Sequence, residues 1–345
     1  MRVYNVAVVG ATGLVGRKMI QVLTERKFPV GNIRLLASER SVGKEVEFNG
    51  TVVKVERLTE RSFAGIDIAL FSAGANVSRE FAPRAVKAGT LVIDNSSAFR
   101  MDHSVPLVVP EVNRHMIFHH KGIIANPNCS TIQMVVALKP IHDRWSIRRI
   151  VASTYQSVTG AGQRGLDQLQ RELRDEHVAE PIFPHPIAMN VLPHVDIFLP
   201  DGYTKEEHKM MHETKKIMGD ESIKVHATCV RVPVYGGHSE AVAVQCEKPF
   251  EMDEVRAALT SAPGVVVVDE PEHAHYPMPI HAWDKDEVFV GRIRRDETID
   301  HGLALWIVSD NLRKGAATNA VQIAEEWLKG STHKIISSSL TLEEQ

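Results

Sequence analysis

The sequence predicts a two-domain α/β protein: a doubly wound parallel-sheet domain, then an α+β domain whose sheet is mainly antiparallel. Three observations predict it. The chain has 345 residues, more than one hydrophobic core comfortably serves. Its first third alternates short, wholly apolar runs with helical periodicity, the pattern of strands covered on both faces. From residue 224 onward, β-branched runs follow one another across short turns.

In chain order, Val6–Val9 is the first buried strand, and Leu14, Met19, Ile20 and Leu23 recur at helical spacing after it. Strands follow at 32–38, 66–73, 90–97 and 122–128, with a helix over 79–89. The segment 129–138 reads as a helix ending at Lys139-Pro140. A strand at 148–162 runs into a glycine loop, and 166–176 is a polar helix. The proline- and histidine-rich stretch 181–200 reads as an irregular, packed loop. A helix over 205–219 stops at Gly219. Strands then occupy 224–234, 239–248, 264–270, 286–296 and 302–311. An amphipathic helix covers 315–330, and the polar residues 331–345 form a flexible tail. The domain division expected is 1–128 with the helix 315–330, and 129–314.

Composition narrows the function. A net charge of −3 offers no basic field for nucleic acid. No apolar stretch approaches a bilayer span, and the first residues enter a strand without a signal-peptide pattern. Cys129, Cys229 and Cys246 are odd in number and far apart, so no disulfide framework is expected and the cytoplasm is the expected compartment. His273, His275 and His281 alternate on one segment, but no further ligand accompanies them and no metal site is expected.

Gly10, Gly13 and Gly16 follow the first strand and open the first helix, where backbone N–H groups meet a pyrophosphate. The spacing is G-x-x-G-x-x-G, with Thr12 where the commoner fingerprint has its middle glycine. The end of the second strand, Ser38-Glu39-Arg40-Ser41, offers both an acid for a free ribose hydroxyl and an arginine for a 2′-phosphate. The hydroxyls flanking Arg40 favour NADP. A Rossmann-like nucleotide-binding domain is therefore expected.

Cys129 lies in "NPNCST", where Pro127 breaks a strand and Asn128 or Ser130 can cap a helix. A thiol in a first helical turn meets unpaired N–H groups that favour the thiolate and would face an oxyanion. Cys229 and Cys246 sit in apolar strands and read as inert core. The segment "RVPVYGGHSEA" supplies Arg231 for a carboxylate and His238 for proton transfer.

Ten segments in one order, among them "VAVVGATGLVG", "IIANPNCSTIQ", "YQSVTGAG", "TCVRVPVYGGHSEAV" and "DNLRKGAATNAVQIAE", resemble the aspartate-β-semialdehyde dehydrogenases over residues 3–329. The resemblance implies interconversion of L-aspartyl-4-phosphate and L-aspartate-4-semialdehyde with NADPH and phosphate. It implies Cys129 as nucleophile, His238 as acid and base, and Gln156 orienting the substrate. Arg231 would hold the α-carboxylate, Glu206 the α-ammonium, and Arg100 and Lys209 the phosphate, with Asn128 nearby. Gly10, Thr12, Gly13, Leu14, Val15, Ser38, Arg40, Ser41, Gly160 and Asn319 would line the cofactor site. A homodimer or homotetramer through the second domain is implied. N-acetyl-γ-glutamyl-phosphate reductase and malonyl-CoA reductase chemistries rank lower: the first has no use for a carboxylate at a free amine, the second none for the phosphate residues. A non-catalytic relative would not be expected to keep Cys129, Gln156, Arg231 and His238 together.

Overall fold

The structure, a computed structural model, describes the backbone of residues 2–340 and the side chains of residues 2–330. It divides into two compact units, Met1–Asn126 with the segment from Ala317, and Pro127–Ala316.

The first unit is built on strands β1 (Tyr4–Val9), β2 (Val30–Ala37), β3 (Glu45–Phe48), β4 (Thr51–Arg57), β5 (Ile68–Phe71), β6 (Leu91–Asp94) and β7 (Ile123–Ala125), in the order β3-β4-β2-β1-β5-β6-β7. All pairings from β4 to β7 are parallel. The β3–β4 hairpin escaped the sequence reading. Its signal was Asn49-Gly50, both at positive φ (50° and 76°), the pair a two-residue hairpin turn demands. Helices α1 (Leu14–Glu25), α2 (Ala75–Lys87) and the short α3 (Pro110–Asn113) complete the crossovers.

The second unit begins with α4 (Cys129–Trp145), which continues through Pro140 rather than ending there. A proline removes one N–H from the ladder, and a helix buried along most of its length tolerates that loss. There follow β8 (Ile147–Gln156), α5 (Gln163–Leu173), α6 (Lys205–Met218), β9 (Lys224–Arg231), β10 (His238–Cys246), α7 (Met252–Thr260), β11 (Val265–Val267), α8 (Pro279–Ala282), β12 (Val288–Asp296) and β13 (Gly302–Ser309). Helix α7 was not anticipated. The sheet order is β11-β12-β13-β10-β8-β9. Its three inner pairings are antiparallel, while β8–β9 and β11–β12 at the edges are parallel. Gly219, at φ 69°, caps α6 as its sequence position required.

The stretch 181–200 is irregular but anchored. Gln168 and Glu172 of α5 accept its backbone N–H groups at Ile182, Phe183, Ile187 and Ala188. Phe183, Ile187 and Leu192 join Val158 and Leu169 in a small core.

The last helix, α9 (Thr318–Leu340), belongs to the first unit and runs past the expected end at 330. Ala320, Val321, Ile323 and Ala324 enter that unit's core beside α1, and Arg26 pairs with Glu325 at 2.7 Å. Of the tail 331–345, the backbone to Leu340 continues α9, and 341–345 lie outside the described residues.

Candidate active site

Antiparallel and parallel register together place three of the expected site residues in one row. His238 opens β10 opposite Gln156, the last residue of β8, and Gln156 lies opposite Arg231, the last residue of β9. Directly opposed residues point to the same face of a sheet, with neighbouring strands about 4.8 Å apart.

Cys129 is the first residue of α4 and is half-buried. The cap is Asn128, whose Oδ1 accepts from the N–H groups of Ser130 (3.0 Å) and Thr131 (3.1 Å). Two carboxylates of α6 fix that cap in turn. Glu213 accepts from the Asn128 backbone N–H at 2.6 Å, and Glu206 accepts from its side-chain amide at 2.8 Å. Glu206 and Glu213 are two helical turns apart on one buried face, a spacing visible in the sequence. The positive end of α4 favours the Cys129 thiolate, and Arg231 lies close enough to be attracted by it. A Cβ on Gly315 would come within 2.9 Å of the Cys129 Cβ, so only glycine lets that backbone pass Cys129.

Burial, reinforced by Arg231, pushes His238 down to about 4. The imidazole is therefore neutral at physiological pH. Its shortest contact is from Nδ1 to the Gly237 carbonyl, 2.9 Å. The Ser157 backbone N–H donates toward the same nitrogen at 3.2 Å, so Nδ1 has a partner in either neutral tautomer. Ser157 Oγ lies 3.1 Å from Nδ1 and donates to Asn311. Ser157 and Asn311 were not anticipated.

Burial alone would raise Glu206. Lys209, Asn128 and Arg231 overcome it and hold the carboxyl down at about 2. It accepts from Asn128 (2.8 Å), Lys209 (3.0 Å) and Gln156 (3.3 Å), and Gln156 also donates to Ser130 at 3.0 Å. A buried, ionised carboxylate among donors suits an ammonium ligand. Arg231 donates to the Ser157 carbonyl at 2.6 Å and lies over the Phe183 ring. The packed loop pairs with it, Leu192 exchanging backbone hydrogen bonds with Arg231. Gly160, expected at the cofactor, sits over this pair: a Cβ there would lie 2.7 Å from Arg231 Nη1 and 3.3 Å from His238 Nε2.

Lys209, expected at phosphate, is held between Glu206 and Asp196, 2.8 Å from the latter. Cys229 and Cys246 are buried, and burial pushes both thiols up, Cys246 to about 11.

The remaining residues lie in the first unit. Gly10, at φ 88°, has no room for a Cβ against the Ser72 carbonyl, and a Cβ on Gly16 would strike the Gly10 carbonyl. Backbone packs closely on both glycines, which gives the tight turn of a pyrophosphate cradle. Gly13 caps α1, and Leu14 and Val15 form its half-buried first turn. Thr12 donates to Ser41 at 3.1 Å, which brings the Ser38–Ser41 turn beside the cradle, with Arg40 exposed. These features fit a nicotinamide dinucleotide. Arg100 donates to the carbonyls of Asn126 and Asn95, both at 2.9 Å. Asn319 donates to the Asn126 side chain at 2.7 Å and to the Val108 carbonyl at 2.9 Å. Both residues thereby brace the segment that leads to Pro127.

Two residues along β10 from His238, Glu240 is fully buried on the same face. Burial drives its carboxyl well above the usual range, opposed only in part by the Gln133 amide. The unfolded chain releases this proton near pH 4.5 and the folded chain keeps it. Stability therefore falls as pH rises through that window, by at most about 1.4 kcal/mol per unit. Glu240→Gln removes the penalty. In urea unfolding the variant should gain on the native chain between about pH 5 and pH 8; a constant difference would mean that Glu240 is ionised.

Comparison with known proteins gives matches over both units. A model of the semialdehyde dehydrogenase NAD-binding domain matches residues 5–120, and one of the semialdehyde dehydrogenase dimerisation domain matches residues 138–314. The aspartate-semialdehyde dehydrogenase of Aquifex aeolicus is 58% identical over 94% of this chain and 98% of its own. That of Legionella pneumophila is 54% identical over 93% and 94%. The crystal structure of Vibrio cholerae aspartate semialdehyde dehydrogenase II complexed with ASA superposes with a TM-score of 0.92 at 49% identity, covering 95% of this chain and 99% of that one. The Candida albicans enzyme with NADP gives 0.76 at 26% identity, covering 95% and 99%.

Proposed function

Because this chain belongs to the aspartate-semialdehyde dehydrogenase family, we propose that it catalyses the reversible, NADPH-dependent reductive dephosphorylation of L-aspartyl-4-phosphate to L-aspartate-4-semialdehyde through a Cys129 thioester. The observation that carries this reading is Cys129 at the start of α4, capped by an Asn128 that is itself held by Glu206.

In the oxidative direction the Cys129 sulfur forms a bond to the aldehyde carbon. The resulting oxyanion forms at the N-terminal end of α4, whose dipole favours negative charge. His238 Nε2 takes the proton from any Cys129 that remains a thiol. When bound, the nicotinamide supplies the hydride chemistry, accepting one hydrogen and two electrons as the adduct becomes a thioester. A phosphate oxygen then attacks the acyl carbon, the C–S bond breaks, and the sulfur leaves as thiolate. The product is the acyl phosphate, and the reverse sequence reduces it.

The charges of the substrate match the site. Arg231 takes the α-carboxylate, Glu206 the α-ammonium, and Gln156 orients the acyl group. Arg100, Lys209 and Asn128 serve the phosphate. The glycine cradle with Thr12, Leu14 and Val15 holds the pyrophosphate, Ser38, Arg40 and Ser41 the 2′-phosphate, and Gly160 and Asn319 the remaining cofactor surface. Among the described residues no helix is long and apolar enough to cross a membrane. The enzyme serves aspartate-family amino-acid biosynthesis in the cytoplasm, leading to lysine, threonine, methionine and diaminopimelate. It works as a homodimer or homotetramer. The uncovered face of the second sheet supports this: Ala241, Ala243 and Trp306 are only half-buried and Tyr155 is exposed.

The test is absorbance at the nicotinamide band with L-aspartate-4-semialdehyde, phosphate and NADP. Sustained reduction, beyond one turnover per site, should require both phosphate and NADP; no reduction by folded protein with any nicotinamide cofactor would reject the reading. In the same assay Arg40→Ala should raise the KM for NADP about tenfold or more, the worth of one charged hydrogen bond, and leave that for NAD unchanged. Equal effects on both would remove Arg40 from the 2′-phosphate.

A further inference from the structure

Lys209 stands in an unfavourable position for its proposed task. One cation is held by two carboxylates, Asp196 at 2.8 Å and Glu206 at 3.0 Å. The positive charge of Lys209 is thereby already taken up, and an oxyanion gains most from it when one of the two carboxylates gives way.

The two differ in what holds them. Glu206 is buried and also accepts from Asn128 and Gln156, so it is fixed from three sides. Asp196 lies in the irregular stretch 181–200, with its side chain 31% exposed. Among the described residues its other oxygen accepts only from the next backbone N–H, that of Ile197, at 2.9 Å. The backbone around it is already anchored, since Ile197 and Lys205 share a hydrogen bond and Phe198 bridges to Thr204. A side-chain rotation thus frees Lys209 without moving the loop.

We propose that the Asp196 carboxylate occupies Lys209 in place of the incoming oxyanion, so that phosphate binds by displacing it and Asp196 sets the enzyme's oxyanion affinity. The proposal rests on the reading of Lys209 as a phosphate ligand. It gives the unassigned loop a role in the reaction: it supplies an internal competitor that keeps the lysine oriented between turnovers.

The experiment measures initial rates of NADP reduction against inorganic phosphate for the full-length chain and for Asp196→Asn. The variant should lower the phosphate KM about three- to fivefold, the worth of one partly exposed charge contact, with kcat and the semialdehyde KM nearly unchanged. Asp196→Ala should shift it the same way. An unchanged or raised phosphate KM in both variants would overturn the proposal and make Asp196 a support for Lys209. Lys209→Ala tests the premise separately: it should raise the phosphate KM, and no change there would remove Lys209 from the phosphate site and the proposal with it.

Discussion

Replacing Cys129 with serine is expected to lower kcat about a thousandfold or more, with secondary structure and unfolding midpoint unchanged. One atom changes, and the protein context that activates it does not. The start of α4 and the nearby Arg231 both favour a thiolate. The same fields cannot ionise a serine hydroxyl near neutral pH, and its oxyester would release the acyl group to phosphate more slowly. Activity is read as NADP reduction and folding by circular dichroism. A serine variant that kept a tenth of the native rate would rule out sulfur as the covalent carrier.

His238→Asn should cost about a hundredfold to ten-thousandfold in kcat, the range of a single positioned proton-transfer group. Because burial and Arg231 hold His238 down at about 4, the native enzyme keeps its base form across the neutral range. Its rate should fall only as pH drops toward that value, and the asparagine variant should lack this acidic limb. Stability gives a second reading. Between about pH 6.5 and pH 4 the unfolded chain takes a proton that folded His238 refuses, so the native protein weakens as pH falls. His238→Asn should flatten that slope. An acidic limb that survived the substitution would belong to another group.

The parts of the fold legible in the sequence were those with one strong local signal. The buried parallel strands announced themselves as apolar runs, and α6 by its Gly219 stop. Pro140 misled because a helix as buried as α4 outweighs one lost backbone hydrogen bond. The site was legible wherever chemistry clustered in sequence, as in "NPNCST" and "RVPVYGGHSEA". The groups that hold those residues were not. Glu213 acts on Asn128 from 85 positions away and Asn311 on Ser157 from 154, and no local pattern marks such pairs. Asp196 sat in a stretch without periodicity, and only its distance to Lys209 gives it meaning. Gly315 reads as the start of the last helix and Gly160 as a cofactor contact, and neither signals the space it leaves open for Cys129, Arg231 or His238.

The covalent intermediate itself is the most direct test. The native enzyme is mixed with L-aspartate-4-semialdehyde and NADP without phosphate, quenched in acid, digested, and the peptide carrying Cys129 is weighed. The mechanism predicts that this peptide gains the mass of one aspartyl group, in a thioester that hydroxylamine removes, and that added phosphate discharges it before the quench. Cofactor reduction in the first turnover with Cys129 unmodified, or with the acyl group on another residue, would contradict it.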